Sequence, residues 1–418
     1  MKRIFFILVA LLLVTALAVA GCATPSPAPS PAPSPAPSPA PSPAPEPKTL
    51  QIGGLMSLTG FFVVNDGPDW EQTVIAAEVM NDHGGITVNG EQYMVELVVE
   101  DCKSTLEGVT AAANRLVYDK GIKFIVGPTA FYSSGAAPVT DPAKVMHILT
   151  WCCNTPGEVD ETTPYAFTTS HSSIATFIAA IKYLKQQYPD VKNLAVVTPD
   201  DGAVPYLIPR TEELLKSEGF NIVGEVIAYP NELQDFNPIV AKVNAIKDAD
   251  ALFQANGLGP HMGAIAKGLR ESGNYMPYAC GSPTPMSEVM TIAGVDNVND
   301  MFTVSLTAGD PELTAITNEI INRTIAKYGA DISLHLKGAN SLWLLKAAIE
   351  AAQSLDPAVV KAKFESMDEI ETIFGMGTIC GDETFGIRHH AVAHPMPISI
   401  IKDDKGASGG WMDVVFIP

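Results

Sequence analysis

The chain is predicted to be α/β, built as two doubly wound parallel-sheet lobes. Three observations predict this. Apolar strand-like runs alternate with helical segments through short connections, which implies parallel strands covered on both faces. The alternation comes as two series, one before and one after about residue 170. About 370 residues follow Pro47, more than one typical core accommodates, so each series has enough chain for its own lobe.

The elements follow in order. Thr49–Gly54 is a short strand. Pro68–His83 has helical spacing, with Trp70, Val74, Ala77 and Val79-Met80 on one face, and stops at Gly84-Gly85. Tyr93–Val99 is a strand ending in Glu100-Asp101, and Leu106–Tyr118 is a helix. Lys123–Val126 is a buried strand stopped by Gly127-Pro128, and Val145–Thr150 is another strand. The rhythm restarts with helix Ser173–Gln187, strand Leu194–Thr198 and helix Tyr206–Ser217. Strand Asn221–Ala228, helix Pro238–Ile246 and strand Ala251–Ala255 come next.

The amino terminus sets the compartment. Lys2 and Arg3 precede an apolar run from Ile4 to Ala20, and small residues follow, as in a secretory signal. Gly21-Cys22 resembles a bacterial lipobox, which implies a signal peptide over residues 1–21 and a diacylated Cys22 as the mature terminus. An uncleaved membrane anchor is the competing reading, since the run is about as long as a short membrane-spanning helix. Residues 22–47 are the lipidated cysteine and a Ser/Pro/Ala-rich linker with no apolar side chain larger than alanine beyond the cysteine. Its prolines hold it near polyproline II, so Pro25–Pro47 acts as a semi-rigid stalk reaching about 70 Å.

The formal charge is −20, and loss of Lys2 and Arg3 with the signal makes it more negative. That makes the chain a poor candidate for nucleic acid or anionic lipid surfaces and leaves the lipid anchor as the expected membrane contact. Five cysteines remain besides Cys22: Cys102, Cys152, Cys153, Cys280 and Cys380. An exported setting permits disulfides, but the odd number leaves at least one thiol free. No spacing among them is a metal pattern, and the adjacent Cys152 and Cys153 read as two small buried apolar residues.

Ile52-Gly53-Gly54-Leu55-Met56-Ser57-Leu58-Thr59-Gly60 resembles the opening strand and loop of type I periplasmic solute-binding proteins, the leucine-binding branch of ABC transporter receptors. Ala76–Ile86 resembles that family's first helix and Gly-Gly turn, Leu97–Asp101 its second strand, and Ile125–Pro128 the strand opening onto its cleft. Thr163–Phe167 resembles the first crossing between lobes, and Ile292-Ala293-Gly294 falls near the second. The resemblance implies a three-segment hinge. It places lobe 1 at residues 48–167 and 306–378, and lobe 2 at 168–305 and 379–418.

It also implies a site. Ligands of open α/β sheets bind beyond the carboxyl ends of strands, and first helical turns there offer free N–H groups to a carboxylate. By local alignment the carboxylate loop falls at Phe131-Tyr132-Ser133, and a second contact loop at Trp151-Cys152-Cys153-Asn154. The opposite lobe is expected to contribute Asp201, Asn256, Leu258 and Ser282. Leucine-type binders place an acidic residue on that last loop to hold the ligand ammonium, where this chain has Ser282 or Pro283. They also place tyrosines where Ala203 and Leu258 stand. A buried ammonium without an anion is costly, so aromatic and other organic acids stay open beside amino acids.

Three patterns suggest other chemistry. Gly406-Ala407-Ser408-Gly409-Gly410 matches a nucleophile elbow, but no histidine follows it, so it is read as a hairpin turn. Gly257-x-Gly259-x-x-x-Gly263 has the wrong spacing for a dinucleotide loop and is read as a helix start facing the ligand. His389, His390 and His394 suit zinc by type, yet a structural role is favoured, because successive strand residues point to opposite faces. His171 is read as a hinge-region hydrogen bonder. No catalytic residue, metal or cofactor is expected. The expected function is a monomeric, lipid-anchored extracytoplasmic receptor that passes a small molecule to ABC permease subunits. A sensor of the same fold that feeds a signalling partner is the alternative, with an exported hydrolase more distant.

Overall fold

The computed structural model describes residues 47–200 and 202–415, apart from the side chains of Ala130 and Phe131. The expected signal segment, Cys22 and the tract up to Glu46 lie outside the described residues. Strands β1 (Lys48–Met56), β2 (Ile86–Val88), β3 (Glu91–Asp101), β4 (Phe124–Val126), β5 (Met146–Ile148) and β6 (Ala166–Thr169) open the first sheet. Strands β7 (Asn193–Asp200), β8 (Asn221–Ile222), β9 (Ile227–Pro230), β10 (Ala251–Gln254), β11 (Tyr278–Cys280) and β12 (Met301–Thr303) belong to the second. The chain then returns to the first sheet for β13 (Glu369–Thr372), β14 (Gly375–Cys380) and β15 (Ala391–Ala393). It ends in the second with β16 (Met396–Lys402) and β17 (Lys405–Met412).

The first sheet has the order β13-β14-β15-β6-β5-β4-β1-β3-β2, and the second runs β17-β16-β12-β11-β10-β7-β8 with β9 also on β7. The centres of both are parallel, as expected from the alternation. Both edges of the first sheet and one edge of the second are antiparallel hairpins. Phe124, Ile125 and Val126 are fully buried, which explains the uninterrupted apolar run in β4. Such burial contributes about 1.5–3 kcal/mol per side chain.

Several elements differ from expectation. The first helix begins at Val63 and carries Pro68 inside it. Asn221–Ala228 is two short strands, because Gly224 turns the chain at φ +74° between them. Gly406–Gly410 lies within strand β17, and the turn of that hairpin is Asp403-Asp404, both with positive φ. The last passage between sheets is at His394-Pro395, not near residue 378. Strand β14 pairs with β15, and β15 runs parallel to β6, so residues 379–393 stay with the first sheet. The first passage likewise follows Thr169, since β6 continues two residues beyond Phe167. Cys102, Cys152, Cys153, Cys280 and Cys380 are all free, and all but Cys380 are buried.

Candidate functional site

A cavity of about 530 Å³, its mouth included, opens where strand ends of the two sheets face each other. The first lobe lines it with Phe61, Phe62 and Asn65 beyond β1, Thr129 beyond β4, and Trp151 and Cys153 beyond β5. Lys337, the first residue of helix Lys337–Ala352, completes that wall. The second lobe supplies Pro199 from β7, Asn231 beyond β9, Asn256 to Leu258 beyond β10, and Ser282 and Pro283 beyond β11. These are carboxyl ends of neighbouring parallel strands, where an open α/β sheet leaves a crevice.

The loop after β1 is held by Asp101 at the end of β3. Its carboxylate accepts the backbone N–H groups of Leu58 (3.0 Å), Thr59 (3.2 Å) and Lys103 (2.8 Å), and the Thr59 hydroxyl at 2.6 Å. Burial works to raise this carboxyl, but those donors outweigh it and hold it below the usual carboxylate range. Ser104 Oγ donates to the Thr59 carbonyl (2.8 Å) and accepts from Phe62 N–H at 3.0 Å. The loop so fixed presents Phe61 and Phe62 with ring centroids 5.4 Å apart, and Tyr132 meets Phe62 edge to face at 5.6 Å.

Two buried polar residues of helix Val63–Asp82, Gln72 and Asp69, organise the turn that carries Lys337, and a third, Asp66, lies close enough to feel its charge. Gln72 Oε1 accepts from His335 N–H (2.8 Å) and Leu336 N–H (2.9 Å). Asp69 accepts from the N–H groups of Lys337 at 2.8 Å and Gly338 at 3.1 Å, satisfying donors of the new helix. Leu336 sits in the left-handed region at φ +54°, a costly conformation for a bulky side chain. Asp66 accepts from Ser57 N–H at 2.9 Å, while its other oxygen has no partner. Burial pushes its carboxyl up to about 7, against the opposing charge of Lys337. The Lys337 ammonium donates to the Asn65 side-chain oxygen, and the residue is only 2 % exposed.

On the opposite wall, polar groups are spent internally. Ser282 Oγ donates to the Gly257 carbonyl at 2.8 Å, and Gln254 donates to Asn256 O at 2.9 Å and to Tyr229 Oη at 2.8 Å. A side chain at Gly257 would place its Cβ 2.2 Å from Gln254 Nε2, so the close approach requires glycine here.

Of the residues singled out by sequence, Trp151, Cys153, Asn256, Leu258 and Ser282 line the cavity. Tyr132 stands behind Phe62, Ser133 is buried, and neither belongs to the described lining. Asn154, at φ +61°, turns instead to a separate surface groove with Tyr206 and Arg210. Asp201 and the Phe131 side chain lie outside the described part of the structure. Sequence reasoning missed Phe61, Phe62, Asn65 and Lys337. The first three follow the strand with neighbours on both sides, β3 and β4, which is where the crevice rule points. Lys337 has no local signal.

The histidines are held in hydrogen bonds of their own, two of them to Glu365. His390 stacks on Phe167 with centroids 4.2 Å apart and bonds the Ala166 carbonyl at 2.7 Å and Glu365 at 2.8 Å. His389 bonds the Glu365 carbonyl at 2.8 Å. His394 meets Asn340 at 3.1 Å, and burial lowers its pKa to about 4. His171, at the first crossing, pairs its Nδ1 with Thr169 Oγ1 at 3.2 Å. Among the described residues no group of three or more His, Cys, Asp or Glu is placed to hold a metal ion.

A family model of periplasmic binding proteins matches residues 49–407. The fold is similar to that of the branched-chain amino acid transporter substrate-binding protein LivJ from Streptococcus pneumoniae, solved with isoleucine. The TM-score is 0.69 at 18% identity, covering 88% of this chain and 99% of that one. The leucine-binding protein LivK from Thermotoga maritima gives 0.68 at 19%, covering 87% and 99%. A solute-binding protein of an ABC transporter from Rhodopseudomonas palustris BisB5, solved with 3,4-dihydroxybenzoic acid, gives 0.67 at 19%, covering 88% and 98%. At these identities the likeness establishes the fold.

Proposed function

Because the chain belongs to the periplasmic binding protein family, whose members are extracytoplasmic solute-binding proteins rather than enzymes, we propose that it is the receptor of an ABC importer. It captures one small carboxylate as its lobes close. The observation that carries this reading is the cavity between the two sets of strand ends, with aromatic walls and a few polar groups. The ligands named for two structural neighbours, isoleucine and 3,4-dihydroxybenzoic acid, both join a carboxylate to a largely apolar body.

In this reading Trp151, Cys153, Asn256, Leu258 and Ser282 contact the ligand, and Tyr132 acts through Phe62. The lobes turn about the three passages near residues 170, 304 and 394. No helix of the described residues is long and apolar enough to cross a membrane. The lipobox-like Gly21-Cys22 supports a lipid on Cys22 as the anchor, with the Pro-rich tract as a spacer and the receptor working as a monomer. Mass spectrometry of ligand that co-purifies with never-unfolded protein tests the proposal. A carboxylate-bearing small molecule is expected, whereas a thermal-shift response confined to metal ions or sugars overturns it.

A further inference from the structure

Among the described residues lining the cavity, Lys337 is the one charged side chain. The chain as a whole is strongly acidic, so its long-range field repels anions, and a buried cation at the cleft works against that field. Removing an ammonium from water is costly unless an anion or several acceptors compensate.

The compensation here is partial. The ammonium donates to the neutral Asn65 carboxamide. The Asp69 carboxylate is occupied with the backbone N–H groups of Lys337 and Gly338. Asp66 is held by Ser57 N–H, and with its carboxyl pushed up to about 7 it is only partly ionised near neutrality. The opposite wall has Ser282 bound to Gly257 O and Leu258 beside it, and Glu288, the acid there that feels the charge of Lys337, is turned to His335. Phe61, Phe62 and Trp151 provide apolar surface within the same cavity as the cation.

We propose that Lys337 is a specificity-determining residue that selects an aryl or alkyl carboxylate lacking an α-ammonium group. The inference rests on the receptor reading above and names its ligand class. The carboxylate meets the Lys337 ammonium and Asn65, and the apolar body lies against Phe62 and Trp151. An α-amino acid brings a second buried cation beside the first, and like charges in a desolvated site repel.

The test uses matched pairs by calorimetry on the mature soluble body: 4-methylpentanoate against leucine, and 3-phenylpropanoate against phenylalanine. The deaminated acid of at least one pair is expected to bind tenfold or more tighter than its amino acid. Lys337→Met, close in length and uncharged, is expected to weaken that acid's binding by about 30-fold or more. It should also remove the preference for the acid over its primary amide. Tighter binding of leucine or phenylalanine overturns the assignment while leaving the receptor reading intact. Unchanged acid binding in a folded Lys337→Met protein does the same. If neither acids nor amino acids bind, the assignment to Lys337 falls, and the receptor reading is decided by the co-purified ligand. Should Lys337→Met not fold, the wild-type pairs and the acid-to-amide ratio decide the matter alone.

Discussion

His335 Nε2 lies 3.5 Å from Glu288 Oε1, and the two side chains belong to opposite lobes. His335 precedes the first-lobe helix that begins at Lys337, and Glu288 is in helix Met286–Ala293 beside the second sheet. Burial alone would raise the Glu288 carboxyl, but the approach of the His335 ring and Ser333 holds it below the usual carboxylate range. A depressed acid contributes stability above its ordinary pKa and loses it as pH falls through the depressed value. The contact is therefore expected to favour lobe closure at neutral pH and to release it in acid. Glu288→Gln should weaken ligand binding by about three- to tenfold at pH 7. Calorimetry at pH 7 and small-angle scattering of the liganded form check this, and an unchanged affinity would count against a latch.

Asp66 shapes a second pH dependence. Its carboxyl sits near 7 because burial outweighs Lys337. A bound carboxylate beside Lys337 disfavours ionised Asp66 further, so the complex holds more protons than the free protein. Affinity for a carboxylate should fall as pH rises through about 7, with proton uptake seen in buffers of different ionisation enthalpy. Asp66→Asn should flatten that profile.

Asp101 ties the loop after β1 to β3 through three hydrogen bonds. Asp101→Ala is expected to cost about 2 kcal/mol in urea unfolding and to loosen Phe61 and Phe62. The wild-type contribution should be present at neutral pH and lost as pH falls through the depressed carboxyl pKa. The variant should accordingly lose less stability on acidification.

Cys22→Ala should abolish lipid attachment and release the body from the membrane fraction, read by radiolabelled palmitate and fractionation. Membrane association that persists after the substitution would point to the uncleaved anchor.

Much of the fold is legible in the sequence because its cues are local. Helix Ser173–Gln187 has its expected bounds, with Ser172 capping Ala175 N–H at 3.4 Å and Tyr188-Pro189 beyond its end. Strands β4 and β10 are legible as short apolar runs bounded by turn residues. The edge hairpins are less so, since β13 to β15 join the first sheet through a pairing with β6 more than 200 residues earlier. Pro395, which ends that run, was the available sign of the passage between sheets. Trp151 and Leu258 stand at strand ends that the alternation marks. Lys337 does not, for it is placed by Asp69 and Gln72 across more than 260 residues, and nothing beside it in sequence announces a cleft.

The passage at His394-Pro395 has a mechanical consequence. Ala393 closes β15 in one sheet, and Met396 opens β16 in the other. Three extended virtual bonds span at most about 11 Å, so these two points cannot separate further, whatever the ligand does. The stretch from Val304 to Thr314 between β12 and the next helix is long enough to pay out slack. The short passage is thus a pin, and the longer stretch beside it a strap. The lobes are restricted to swinging about the pin, and lengthening those two residues should slacken the jaw without altering any residue that lines it.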